Sequence, residues 1–479
     1  MKSTKIVCTI GPKSQKKGIL TKMIRAGMNV ARLNMSHGDY DFHKKSIDLI
    51  REVSNELNAH IAIIVDLQGP KIRTGRLLKE TVILKKGSMI TLTTDEIVGD
   101  WNRLSVNYKE LPNEATKGER IYLDDGNIEL KVIDIQGNDI LCRVIEGGVI
   151  RSYRGINLPD TRIKTPSLTE KDLEDLEFGL DQGVDYIALS FVRKADDIYN
   201  LRDRIARRNL DIPIVAKIEK PEAVKNIDSI IKATDSIMVA RGDLGAETSP
   251  QDVPILQKKI IAKCNSARKP VITATQMLES MISHPRPTRA EASDVANAIF
   301  DGTDAVMLSG ETALGDFPVE AVRVMTSIAK KVEEVQKKNK IYPEDFETVK
   351  NRNDVALGVS FTACQLSALV KSRYIIGFTL SGKTALNIST YRPPVPILGM
   401  SPNKEILRRM NLYWGVYGVK IDRVSSTEEL FDKAERVLIN HKYCKEDDTV
   451  IFVGGVPVMS NEPTNMVKVH RVKIGRRNI

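Results

Sequence analysis

Ile214-Val215-Ala216-Lys217-Ile218-Glu219 and Met238-Val239-Ala240-Arg241-Gly242-Asp243 stand about two dozen residues apart, and each is an apolar, strand-like run that stops on charged residues. Together the two ends supply one ammonium, one guanidinium and two carboxylates. Two carboxylates from neighbouring strands suit a hard divalent cation that also holds a substrate phosphate, the usual way Mg2+ is bound. A lysine beside that metal adds the positive charge that a transferring phosphoryl group needs. Either run alone reads equally well as a salt-bridged strand end. The pair gains its meaning because the pattern recurs along the chain.

Apolar runs of strand length occur at Lys5–Ile10, Met28–Leu33, Ile61–Leu67, Tyr186–Phe191, Ile212–Ile218, Ser236–Ala240, Pro270–Ala274 and Ala305–Leu308. Most are apolar on both faces, as parallel strands covered on each side require. Amphipathic stretches such as Gly18–Ala26, His43–Leu57, Glu170–Gln182, Val253–Ala267 and Ala290–Phe300 lie between them. Eight strand–helix units predict an α/β fold with a closed (β/α)8 barrel.

From Pro70 to about Lys164 the helical period gives way to alternating segments, Thr81–Leu84, Met89–Thr93, Arg120–Leu123, Ile128–Ile133 and Ile140–Val144. Turn pairs punctuate them at Asp125-Gly126, Gln136-Gly137 and Gly147-Gly148. This predicts a small antiparallel β-barrel domain inserted after the third strand, over the functional face, as a lid. Asp124-Asp125-Gly126 reads as a hairpin turn rather than a metal loop. After a last barrel helix, Val319–Val335, the stretch Gln336–Lys340 reads as a polar linker. Beyond it, strands at Tyr374–Thr379, Pro396–Met400, Gly415–Val419, Thr449–Val453 and Met466–Arg471 are expected. Helices at Asp354–Leu369, Ala385–Thr390 and Thr427–Asn440 complete a separate α/β domain. The expected division is 1–69 and 165–336 for the barrel, 70–164 for the lid and 337–479 for the last domain.

With 479 residues, 42% of them hydrophobic, the chain can bury a core large enough for two or three domains. No run approaches the length of a membrane span, and Met1 to Lys17 lacks a cleavage-site pattern, so neither membrane nor signal peptide is expected. Five scattered cysteines without a CxxC pair point to reduced thiols in the cytosol and against zinc. From Val335 onward, 23 Lys/Arg against 14 Asp/Glu give +9 of the chain's net +10. A basic last domain reads alike as attracting an anionic small molecule or nucleic acid and as merely facing solvent. Aromatics are only 5% and no recognition motif accompanies the charge, which argues against nucleic acid.

In a barrel of this kind catalytic groups sit at the C-terminal ends of the strands. Those ends carry Thr9 and Gly11-Pro12; Arg32, Asn34, Ser36 and His37; Asp66, with Lys71 and Arg73 opening the insert; Ser190; Lys217 and Glu219; Arg241, Gly242 and Asp243; Thr275-Gln276; and Ser309 and Glu311. One histidine is a poor kit for Ser-His-Asp chemistry, and no lysine lies in an obviously apolar pocket for Schiff-base work. The mixture fits phosphoryl transfer, where positioning and charge neutralisation do most of the chemistry. No Walker A or kinase GxGxxG loop occurs, so a nucleotide would be held by another kind of site. A Mg2+-dependent barrel lyase acting on a 2-oxo acid would share Lys217, Glu219 and Asp243 but would not need a lid, Arg73 or a basic last domain. An anion-sensing regulatory protein would keep the last domain without needing Lys217 or Asp243.

At these residues the chain resembles the pyruvate kinases. The matching stretches are Lys5-Ile6-Val7-Cys8-Thr9-Ile10-Gly11-Pro12, Asn29-Val30-Ala31-Arg32-Leu33-Asn34-Met35-Ser36-His37-Gly38, Arg241-Gly242-Asp243-Leu244-Gly245, Ala274-Thr275-Gln276-Met277-Leu278-Glu279-Ser280-Met281, and Pro285 through Ala313. The similarity spans essentially the whole chain. It implies phosphoryl transfer from phosphoenolpyruvate to ADP, with ATP and pyruvate as products. On that resemblance Glu219 and Asp243 hold Mg2+ or Mn2+, Lys217 stabilises the transferring group and Arg32 pairs with the phosphate. The Gly242 and Asp243 amides receive the substrate carboxylate, Thr275 lies where the enolate is protonated, and His37, Arg73 and Arg154 contact the nucleotide. Met28, Met277 and Met281 are read as core filler. A cytoplasmic homotetramer is the family's usual form.

Two further expectations come with the resemblance. The loop Thr379-Leu380-Ser381-Gly382-Lys383-Thr384, with Thr464 opposite, matches the family's effector pocket, and its hydroxyls, amides and ammonium make a phosphate cradle. Activation by a phosphorylated effector is therefore expected, with sugar bisphosphate, sugar monophosphate and AMP all open. In K+-requiring members the ion sits among residues matching Asn34, Ser36, Asp66 and Leu67, and a glutamate follows the Gly-Pro. Here Gly69-Pro70 is followed by Lys71, which resembles the K+-independent branch, although Thr74 is nearer the K+-requiring one.

Overall fold

The computed structural model describes residues 1–124, 126–161, 163–339, 354–458, 460 and 462–473. The eight expected runs form strands β1 (Lys5–Thr9), β2 (Val30–Asn34), β3 (Ala62–Asp66), β4 (Tyr186–Leu189), β5 (Ile214–Ile218), β6 (Ser236–Ala240), β7 (Val271–Ala274) and β8 (Ala305–Leu308). They pair in sequence order, all parallel, and β8 returns to β1 to close the barrel. Apart from Asn34, every residue in them is buried. One set of side chains, Val7, Val30, Ile64, Val215, Met238 and Ile272 among them, fills the interior. The other set packs outward under the helices. This double burial is why the strands read as apolar runs rather than alternations.

Local chemistry starts the helices where the sequence places them. The Asp39 carboxylate accepts from the Phe42 amide at 2.8 Å ahead of helix Tyr40–Glu56. Thr169 with Asp172, and Thr288 with Glu291, form capping boxes that satisfy the first free amides of Glu170–Asp181 and Arg289–Phe300.

Between β3 and β4 the chain leaves the barrel to build a six-stranded sheet and a two-stranded ribbon, Thr81–Leu84 with Gly148–Arg151. Both share one apolar core. The sheet is antiparallel except where Met89–Thr93 runs parallel to Arg103–Ser105. The Asp124-Asp125-Gly126 hairpin joins Arg120–Leu123 to Ile128–Gln136, with Asp125 outside the described residues.

The stretch read as a linker from Gln336 is helical instead: Pro318–Asn339 is one helix, because the polar residues there carry no breaker and continue its solvent face. Lys340 lies outside the described residues. The last domain is a five-stranded sheet of β9 (Tyr374–Phe378), β10 (Ile397–Ser401), β11 (Val416–Lys420), β12 (Thr449–Gly454) and β13 (Met466–Arg471), ordered β11-β10-β9-β12-β13. Only β13 is antiparallel. A six-residue helix, Lys404–Arg409, was too short to show a period in sequence.

This domain stoppers the barrel at the end away from the functional face. Leu412 joins the interior core, and the Tyr186 hydroxyl at the start of β4 donates to the Arg409 carbonyl at 2.8 Å. Asp185 is wholly buried and accepts from Arg51 at 2.9 Å and Arg408 at 2.7 Å.

Candidate active site

The strand ends bring Arg32, Asp66, Ser190, Lys217 and Glu219 into one buried charge cluster. Arg32 Nε donates to Asp66 Oδ2 at 2.6 Å, and another guanidinium nitrogen donates to Thr9 Oγ1 at 3.0 Å. Lys217 Nζ has three acceptors: Ser190 Oγ at 2.7 Å, Glu219 Oε1 at 2.8 Å and Asp66 Oδ1 at 3.3 Å. Burial opposes charge on the ammonium, but Asp66 and Glu219 outweigh it and raise the lysine pKa above its ordinary value. Burial alone would raise Asp66, yet Lys217 and Arg32 hold it below the usual carboxylate range. Glu219 goes the other way: burial lifts its pKa, Lys217 opposes this, and Asp243 adds to it.

A divalent cation held by Glu219 and Asp243 would offset both the burial and the Asp243 charge that disfavour the Glu219 carboxylate. Among the described residues no group of three or more His, Cys, Asp or Glu side chains forms a metal cage. Two carboxylates with room for substrate oxygens suit Mg2+, which rarely has an all-protein shell. The residues therefore fit the ion that the sequence implies.

Thr275 and Gln276 both have left-handed backbones, with φ of 68° and 52°. For a β-branched residue this conformation persists only where the surroundings impose it. Arg241 imposes it, donating to the Thr275 carbonyl at 2.8 Å and the Gln276 carbonyl at 3.0 Å while pairing with Asp294 at 2.6 Å. The guanidinium that the sequence counts among the site's charges thus serves the framework. Glu311 does the same, accepting from the Leu278 and Ser309 amides at 3.0 and 2.7 Å. The turn sets the Thr275 hydroxyl against the Gly242 amide at 2.8 Å, so that amide already has a partner in this structure.

A cavity of about 400 Å3 lies between the barrel mouth and the lid, lined by His37, Lys71, Arg73, Arg154 and Asp243 among others. Arg154 pairs with Asp124 at 3.4 Å. Burial, then Lys71, Arg73 and Arg32, lower the His37 pKa. The same cavity exposes groups that no motif singled out. The lid's Asn157 donates to the buried Glu247 Oε1 at 3.0 Å, Lys220 donates to the same oxygen at 3.1 Å, and Oε2 has no partner in the structure. Position after a barrel strand could have flagged Lys220. Nothing local could have flagged Asn157, and Asp124 reads in sequence only as part of a hairpin turn.

Among the residues that the resemblance matches to a monovalent-cation position, Asn34 is in register with Asp66, Asn34 Oδ1 accepts from the Ser36 amide at 3.2 Å, and the Leu67 carbonyl accepts from Ser190 at 2.6 Å. Lys71 has no ion pair within 4.0 Å among the described residues, but it lies in the field of Lys217, Asp243, Glu219 and Asp66. Burial and Lys217 lower its pKa against the three carboxylates. In the last domain, Thr379, Ser381, Lys383, Thr384 and Thr464 line a second cavity of about 540 Å3. Gly382 turns the loop at φ 88°, its amide donates to Thr379 Oγ1 at 2.8 Å, and Thr384 and Thr464 join hydroxyls at 2.9 Å.

Residues 1–322 match the family profile "Pyruvate kinase, barrel domain", and residues 358–470 match "Pyruvate kinase, alpha/beta domain". The chain belongs to the pyruvate kinase family. The pyruvate kinase of Staphylococcus saprophyticus is 45% identical over 475 residues, 98% of this chain and 81% of the relative. That of Geobacillus stearothermophilus is 45% identical over 472 residues, 98% of this chain and 80% of the relative. The Clostridium perfringens enzyme is 44% identical over 474 residues, covering 98% of this chain and all of the relative.

Proposed function

We propose that the chain transfers the phosphoryl group of phosphoenolpyruvate to ADP, giving pyruvate and ATP. The observation that carries this is the Lys217 ammonium, buried between Asp66 and Glu219 with Arg32 alongside. A β-phosphate oxygen of ADP attacks phosphorus, and the bond from phosphorus to the enol oxygen breaks with its electron pair on that oxygen. The resulting enolate then takes a proton at its methylene carbon. Arg32 and Lys217 neutralise charge on the phosphoryl oxygens through the loose transition state. Mg2+, held by Glu219 and Asp243, supplies further positive charge to the same oxygens when bound.

The substrate carboxylate takes the Gly242 and Asp243 amides once the Thr275 hydroxyl turns off Gly242. Freed in that step, the hydroxyl orients water on the face where the enolate is protonated. Arg73, His37 and the lid's Arg154 hold the nucleotide. Lys71 stands in for a monovalent cation beside Asn34, Ser36, Asp66 and Leu67, which makes K+ dispensable. A phosphorylated metabolite binding at Thr379–Thr384 and Thr464 activates the enzyme, which works as a homotetramer in the cytosol. All five cysteines are free and buried, in keeping with a reducing compartment. No described helix is long and apolar enough to cross a membrane.

The test is ADP-dependent pyruvate formation, followed through lactate dehydrogenase, in the parent and in Lys217→Met. The variant should lose kcat far more than it raises KM, by roughly 3–4 kcal/mol or more in barrier, since its charge acts on the transition state. Pyruvate released from a 2-oxo acid, with none formed from phosphoenolpyruvate and ADP, would favour the lyase, and near-normal kcat in Lys217→Met would sink the assignment.

A further inference from the structure

Four consecutive residues after β4, Ser190 to Arg193, reach both Lys217 and Glu219 and both chain crossings into the lid. Ser190 is 1% exposed. Its hydroxyl donates to the Leu67 carbonyl at 2.6 Å, which leaves a lone pair to accept from Lys217 Nζ at 2.7 Å. Phe191 has φ of 53°, a backbone that a bulky residue holds only under constraint. The turn aims its amide at Glu219 Oε2, 2.7 Å away. Its ring faces the first crossing so closely that a Cβ added at Gly69 would stand 2.6 Å from it and 3.1 Å from the Ser190 Cβ. On the second crossing, Arg193 donates to the Thr165 carbonyl at 2.8 Å and also to the Ile163 carbonyl.

We infer that the corner Ser190–Arg193 positions Lys217 and Glu219 for phosphoryl transfer and ties their alignment to the seat of the lid. The inference rests on the roles proposed above for those two residues. An ammonium has three protons, and the three acceptors of Lys217 use all of them. When Glu219 turns to a metal ion, Ser190 and Asp66 keep two, and the third is left aimed at the incoming phosphoryl oxygens. Ser190 is the only uncharged acceptor of the three. Without it the ammonium is drawn toward the carboxylates alone, and a displacement on the order of 1 Å at a reacting group can cost about a hundredfold in rate. Phe191 does for Glu219 what Ser190 does for Lys217, and Gly69 lets the lid's root lie directly on both. Ser190 and Phe191 are thus positioning residues, joined by Arg193 to the other root.

The experiment is steady-state kinetics on the full-length chain with Ser190→Ala, Ser190→Thr and Arg193→Lys. Ser190→Ala should lower kcat by roughly 10- to 100-fold with the KM for phosphoenolpyruvate changed by about twofold at most, the pattern of a lost positioning contact. Ser190→Thr, which keeps the hydroxyl, should recover most of that loss. Arg193→Lys keeps the charge but loses the planar fork whose two nitrogens reach the Ile163 and Thr165 carbonyls separately, and should raise the KM for ADP by roughly threefold or more through a loosened lid. If Ser190→Ala does not fold, Ser190→Cys carries the same expectation, because a thiol is a weak acceptor. A parent with no ADP-dependent activity would overturn the proposed function itself. An active parent matched in kcat by Ser190→Ala, or equal impairment of Ala and Thr, would overturn the positioning role alone. An unchanged KM for ADP in Arg193→Lys would detach the lid from it.

Discussion

Glu219 is where the charge balance of the site is most delicate. Burial and Asp243 raise its pKa against the pull of Lys217, so it takes up a proton at a higher pH than an ordinary carboxylate. A proton and a metal ion compete for the same oxygens. The half-saturating Mg2+ concentration should therefore rise with falling pH, beginning above the range in which an ordinary carboxylate titrates and approaching about tenfold per unit once Glu219 is largely protonated. Mg2+ titrations of activity and of binding at a series of pH values would show this, and an affinity that stays flat until the ordinary carboxylate range would contradict it. Lys217 shifts upward and keeps its charge, so it contributes no alkaline loss below about pH 10. Lys71 gives a second test. A tethered cation in the field of Asp66 and beside Lys217 would repel a mobile one. Activity in a bulky organic counter-cation should match that in K+ at equal ionic strength, and Lys71→Glu should create a K+ requirement. Strong stimulation of the parent by K+ would remove Lys71 from this role.

At the scale of an element, the proposed effector site turns on the strand-to-helix loop of the last domain. Gly382 adopts the left-handed turn that puts Lys383 at the first position of helix Lys383–Thr390, and the Thr384–Thr464 contact stitches the opposing loop across the cavity. A phosphorylated metabolite should lower the KM for phosphoenolpyruvate, and Lys383→Ala should raise its half-activating concentration by roughly tenfold through loss of a charge-assisted bond. Sugar bisphosphate, sugar monophosphate and AMP, each titrated into the parent and the variant, decide the matter. A silent substitution together with no activation would leave the loop as a helix cap.

Across the whole molecule, the barrel's base depends on the last domain. Asp185 precedes β4, has no exposed side-chain surface, and holds Arg51 of the barrel, Arg408 of the last domain and the Ile63 amide, the last at 2.8 Å. Asp185→Ala leaves two partly exposed guanidiniums and the Ile63 amide without their acceptor; breaking a fully buried pair from one side costs about 3–5 kcal/mol, and solvent at the two arginines lessens the cost here. Urea unfolding should show it, with the last domain separating at lower denaturant as its own transition. A single unchanged transition would mean that Leu412 and Tyr186 carry the junction without the ion pairs.

The barrel was legible because burial on both faces writes a parallel strand as an uninterrupted apolar run, and because the C-terminal ends of these runs carry polar residues in strand after strand. Lys217, Glu219, Asp66 and Arg32 were visible on those grounds, as was the lid from its change of period. The extent of helix Pro318–Asn339 was not, since a polar run without a breaker reads alike as linker and as solvent-facing helix. Nor could sequence say that Arg241 turns from the substrate space to clamp Thr275, that Asp124 meets Arg154, or that Ser190 to Arg193 join the reacting groups to the lid's roots. Periodicity records which face of an element is buried, a property of neighbours along the chain. Which atom a side chain meets depends on segments far apart in sequence, and only the closed barrel brings them within a hydrogen bond of one another.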